Sequence, residues 1–88
     1  MGKPPSKLPS KEVALRGFGA AVRKLRDDKE LTQEQLAEFS DMHVTYISQI
    51  ERGIKNLSLF NVLRVAHALG VSPTELFATV ETALQPSR

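Results

Sequence analysis

The sequence contains no cysteine. That excludes a disulfide framework and a thiolate metal site, and it removes any sign of an oxidising compartment. Long apolar runs are missing too. None approaches the roughly 18 residues needed to cross a bilayer, and the opening MGKPPSKLPS carries lysines without the apolar stretch of a secretory signal. A cytoplasmic location is therefore expected, with no membrane partner. Charge of one sign is scarce: 12 Lys and Arg face 10 Asp and Glu, leaving a net +2. This is well short of a histone-like excess, so a nucleic-acid reading has to rest on where the cations lie. Also lacking are a Ser/His/Asp set, a phosphate-binding loop and a pair of facing carboxylates. No catalytic chemistry is expected from such a chain. His43 and His67 have no carboxylate in ligand spacing, so neither a metal nor a cofactor is expected.

What remains suits one small domain. Eighty-eight residues bury only about 60 to 65% of the unfolded surface, enough for a core but not for a large cleft beside it. The apolar share of 41% is ordinary for a globular protein. Lys3, Lys7 and Lys11 meet no acidic residue before Glu12, and Arg52 and Lys55 form a second basic group. Asp27, Asp28 and Glu30 cluster elsewhere, on a surface expected to face away from phosphate.

Residues 1–9, with three prolines among lysine and serine, read as a flexible basic arm. No β-type alternation follows, and no repeat. Leu15, Phe18, Val22 and Leu25 recur at helical spacing and predict the buried stripe of a helix over 10–29. Gly17 and Gly19 weaken it by roughly 1 kcal/mol each, which points either to close approach of another chain segment or to a frayed first turn. Three further starts are written in caps. Thr32 is followed by Gln35, a capping box. Ser72 precedes Pro73 and Glu75, and Ser58 is a weaker start. Gly53 and Gly70 stand where a left-handed terminating residue is wanted. The expected helices are 10–29, 33–40, 43–52, 59–69 and 73–84, with 85–88 as a tail. The fold class is all-α, a five-helix bundle.

The stretch TQEQLAEFSDMHVTYISQIERG, residues 32–53, holds two short amphipathic patterns joined without glycine or proline. Leu36, Ala37, Ile47 and Ile50 are the inward positions, and small Ala37 lets the helices approach closely. Asp41 is a residue type that tolerates a left-handed joint, with Met42 then directed into the core. Val44, Thr45, Ser48 and Gln49 are expected outward, with Tyr46 at the flank. This short, neutral face of small donors and acceptors lacks the Lys and Glu of an ordinary solvated surface. It reads as a contact surface.

TQEQLAEFSDMHVTYISQIERG, with VRKLRDDKELTQ upstream and ALGVSPTELF downstream, resembles the helix-turn-helix of the Cro/C1-type, phage-repressor-like regulators over about Phe18 to Phe77. Within that family, TYISQIERG followed by KNLSLFNVL is most similar to the controller proteins of restriction–modification systems. The resemblance implies a five-helix DNA-binding domain spanning 10–84, with its motif at about 33–52. It implies base reading by Val44, Thr45, Ser48 and Gln49. It also implies phosphate contacts from Thr32 and Gln33 at a helix N-terminus, from His43 and Tyr46, and from Arg52, Lys55 and Asn56 in the following loop. For Tyr46 the alternative is a ring packed along the helix edge. Arg26 and Glu51 match a pair that forms a buried salt bridge. Three positions depart from the family pattern: Glu30 stands for a glycine, His43 for a Ser or Asp cap, and Val44 for the arginine common among controllers. The last shifts expected readout toward thymine methyls, Gln49 and DNA shape.

The implied partners are double-stranded DNA, RNA polymerase and a second copy of the chain, since such domains pair on half-sites about one turn apart. Leu59, Phe60, Val62, Leu63, Val65, Ala66 and Leu69 make the fourth helix apolar almost all round. The homodimer interface is expected at Phe60, Phe77, Val80 and Leu84, against the alternative that Phe77 closes the monomer's own core. No small-molecule effector is expected. The rival from another class is an antitoxin or adaptor that uses the same fold to bind protein.

Overall fold

Every helix starts at a residue whose side chain accepts a backbone N–H from the next turn, which satisfies donors that the helix itself leaves unpaired. Ser10 Oγ accepts from Val13, Ser58 Oγ from Asn61 and Ser72 Oγ from Glu75, at 3.2, 3.2 and 3.0 Å. Thr32 forms the full capping box, accepting from the Gln35 N–H while its own N–H donates to Gln35 Oε1. In the computed structural model, which describes Gly2 and residues 8–85, the resulting elements are α1 (Lys11–Asp28), α2 (Gln33–Ser40), α3 (Val44–Glu51), α4 (Leu59–Leu69) and α5 (Pro73–Leu84). The predicted ends were correct to within one residue. Residues 1 and 3–7 of the expected arm, and 86–88 of the expected tail, lie outside the described residues.

Four helix exits use left-handed backbone, among them Gly53 after α3 at φ 77°. Asp41 ends α2 at φ 55° and ψ 47°, as its residue type allows, and Gly70 ends α4 at φ 72°. Glu30 follows α1 at φ 56°, a conformation that costs a non-glycine residue about 1–2 kcal/mol. The departure from glycine at this position therefore leaves the helix exit in place and strained.

The core is aliphatic: Val22, Leu36, Ile47, Ile50, Val65 and Leu76 are essentially fully buried. α1 packs on α3 and α5, and α2 packs on α3 and α4. Both glycines of α1 serve close approach and not fraying. A Cβ on Gly19 would stand 2.3 Å from the Ile50 carbonyl oxygen, and one on Gly17 would run into Leu84. Two expectations change here. Leu15 is only half-buried. Val80, expected at a dimer interface, is 9% exposed and belongs to the monomer's own core. Leu84 is half-buried, held by its packing on Gly17.

Candidate nucleic-acid interface

α3 sits on a polar seam. Glu51, at its C-terminal end, accepts from Arg26 Nε at 2.6 Å, Arg26 Nη2 at 3.0 Å and Gln33 Nε2 at 3.0 Å. Its side chain is 4% exposed. Arg26 turns its remaining nitrogen, Nη1, to the Leu31 carbonyl at 2.7 Å and lies 3.3 Å from Asp27. The hydrogen bonds to Glu51 raise the Arg26 pKa above its already high ordinary value, against the opposing effect of burial. One carboxylate thus ties together the end of α1, the start of α2 and the end of α3. Such a closed arrangement matters because a buried charge left without its partner is costly. Among the described residues, no buried side-chain polar atom lacks a partner.

Held this way, α3 turns Ile47 and Ile50 inward and leaves Thr45, Ser48, Gln49 and Arg52 along one outer stripe at i, i+3, i+4 and i+7. Thr45 and Arg52 are exposed, and Ser48 and Gln49 are half-buried at the edges of the stripe. Val44 stands at the flank of this stripe, four residues before Ser48 and as half-buried as Ser48 and Gln49. It shares its line with Ile47 and Glu51, three and seven residues on, and packs half-buried against the core beside Met42. Met42 takes the inward place foreseen for it.

His43 is the α3 cap: its Nδ1 accepts the Thr45 N–H at 3.1 Å. A neutral imidazole accepting there carries its proton on Nε2, on an exposed side chain at the helix start. Thr32 is exposed at the start of α2, but the side-chain amide of the next residue, Gln33, is drawn into the seam and donates to Glu51. Tyr46 packs its ring at the edge of the core, accepts weakly from Asn61 Nδ2 at 3.4 Å, and lies under Lys55, whose Nζ is 5.7 Å from the ring centroid. Asn56 is exposed and Lys55 half-buried in the loop after α3.

One residue that sequence reasoning missed is Arg64. It donates from Nε to the Ser40 carbonyl at 3.1 Å and from Nη2 to the Asp41 carbonyl, closing the joint between α2 and α3. Nη1 reaches Asn61, and the guanidinium lies 5.5 Å from the Phe60 ring centroid. The signal was there: Arg64 is the one Lys or Arg in the apolar LFNVLRVAHAL. Ser40 itself is buried and donates to the Leu36 carbonyl at 2.6 Å.

A helix-turn-helix family model matches residues 22–76, which is the seam, the joint and α3 together. The chain belongs to the helix-turn-helix family. It is a DNA-binding transcription regulator of that family, and its relatives include controllers. The control protein C.BamHI of Bacillus amyloliquefaciens is 48% identical over 72% of this chain and 82% of its own length. The restriction–modification controller protein C.AhdI from Aeromonas hydrophila is 46% identical across 72% of this chain and 96% of its own, with a TM-score of 0.69. The restriction–modification controller protein C.Esp1396I, solved as a tetramer in complex with its natural 35 base-pair operator, is 32% identical over 81% of this chain and 93% of its own, with a TM-score of 0.77. In this helix-turn-helix regulator the resemblance read from TQEQLAEFSDMHVTYISQIERG is thus matched from the second half of α1 into α5.

Proposed function

We propose that this regulator works as a homodimer on a two-fold operator, in the manner of a restriction–modification controller, and sets transcription by occupancy. The supporting observation is the outer stripe of α3: small neutral groups on a helix whose other end is locked by the Glu51 seam. Thr45, Ser48 and Gln49 read base edges in the major groove, Gln49 through the paired donor and acceptor that suit adenine. Val44 contributes at most one flank of its side chain. Thr32, Gln33, His43 Nε2–H, Tyr46, Arg52, Lys55 and Asn56 hold the backbone, Gln33 through its main-chain N–H at the start of α2.

The second copy docks on the outer side of α4 and α5. Phe60 is 69% exposed, Leu59 70% and Phe77 47%, an apolar surface that a solvated monomer has reason to cover. Leu84 borders it. Occupancy by the dimer blocks or contacts RNA polymerase, and the protein's own concentration sets which, in the cytoplasm and without a small-molecule effector. Selection of bound duplexes from a random pool, followed by footprinting, tests this reading: two related half-sites about one helical turn apart are expected. Enrichment of a single asymmetric site, together with a monomer in sedimentation at micromolar concentration, would overturn the homodimer.

A further inference from the structure

The first turns of α1 lie against the loop that leaves α3. Gly53, at φ 77°, is so close to Arg16 that a Cβ there would meet its Cγ at 2.7 Å and its Cα at 2.8 Å. One turn further on, Gly19 abuts the Ile50 and Glu51 carbonyls, and Arg26 closes the seam. The face of α1 turned toward the exit of α3 therefore carries Arg16, Gly19 and Arg26 in one line. Arg26 is consumed by Glu51. Arg16 is exposed, and among the described residues it forms no ion pair, unlike Arg23, Lys24, Arg26 and Arg64.

Gly53, which abuts Arg16, lies between Arg52 and Lys55 in the chain, so Arg16 stands at the loop that carries both cations, a stretch with no acidic residue between positions 52 and 56. A cluster of cations at the end of a recognition helix is suited to a phosphodiester, which takes a planar guanidinium through two oxygens. The acid nearest to Arg16 in sequence is Glu12, one turn earlier on α1 and exposed, and among the described residues no ion pair joins the two; Asp27, Asp28 and Glu30 sit at the opposite end of α1. We infer that Arg16 is a DNA phosphate-binding residue, which extends the interface beyond the helix-turn-helix onto the start of α1. This rests on the DNA-binding reading above and adds a contact outside the matched segment, which begins at residue 22.

The test is the salt dependence of binding to a selected duplex by wild type and by Arg16→Gln, Arg16→Lys and Lys24→Gln. Each phosphate neutralised contributes about 0.9 to the slope of log affinity against log salt, hence about 1.8 on a two-fold operator. Arg16→Gln is expected to flatten the slope by that amount, so its deficit against wild type narrows about tenfold between 50 and 200 mM salt. Arg16→Lys should keep the slope. Lys24→Gln should match wild type, because Lys24 is paired with Asp28 at 2.9 Å. Phosphate-ethylation interference supplies a readout independent of stability: one phosphate per half-site should lose its effect in Arg16→Gln. An unchanged slope, or an unchanged interference pattern, overturns the inference. Failure of the wild-type protein to hold any duplex overturns the DNA-binding reading instead.

Discussion

The seam between α1 and α3 and the outer side of α4 and α5 break the usual rule of burial in opposite directions. At the seam a carboxylate, a guanidinium and an amide are buried where aliphatic groups would pack more cheaply. On the outer side, Leu59, Phe60 and Phe77 are exposed where charge would dissolve better. The first inversion fixes an orientation: hydrogen bonds have direction, and three of them converging on Glu51 specify how α3 lies across the bundle. The second leaves adhesion without direction. One surface holds a helix still; the other leaves large apolar side chains open.

Breaking the seam should have the largest effect. Glu51→Ala leaves the part-buried Arg26 with only the Leu31 carbonyl and the exposed Asp27 as partners, and a loss of about 3–5 kcal/mol in unfolding free energy is expected, read by urea denaturation. A loss below 1 kcal/mol would mean that the seam is dispensable. The pH dependence of the same contact has a clear sign. A raised Arg26 pKa contributes stability that is present at every pH below its ordinary value and is lost only as pH climbs past the folded one. Stability between pH 6 and 9 should therefore owe no slope to Arg26.

Gly19→Ala should come next. The added methyl meets backbone carbonyls, which cannot swing aside as a side chain would. A cost of about 1–3 kcal/mol is expected, with α3 displaced, so sequence discrimination should fall along with the melting temperature. Binding of an unchanged operator with unchanged preference would show that the end of α3 has room to shift.

On the outer side the comparison sharpens. Phe60→Ser with Phe77→Ser should leave the monomer's unfolding free energy within about 0.5 kcal/mol, as surface changes do, and weaken self-association at least tenfold, about 1.4 kcal/mol. Analytical ultracentrifugation and denaturation together separate the two quantities. The smallest effect is a gain. Glu30→Gly removes the left-handed strain after α1 and is expected to stabilise by up to about 1 kcal/mol, offset in part by the freer unfolded chain. Thermal unfolding reads the sign.

Much of this was legible in the sequence because it is local. Thr32 with Gln35, Ser72 with Pro73, and Asp41 before Met42 each act within a few residues, so their spacing already contains the geometry. The Arg26–Glu51 pair was legible only through resemblance, since 25 residues separate the partners. What escaped notice lies between elements. Val80 could be assigned to either of two apolar sides of α5 until α1 was in place. Val44 borders both the outer stripe and the core, a double position that spacing alone does not reveal. Nothing in the periodicity of α4 says that Arg64 reaches back to the carbonyls of Ser40 and Asp41, and nothing near Arg16 in the sequence mentions Gly53.

Arg64 joins the two halves that the comparison separates. The same guanidinium grips the joint of the reading motif and lies over Phe60, a ring open to whatever settles on α4. One side chain thus borders both the joint of the motif and the open apolar surface of α4.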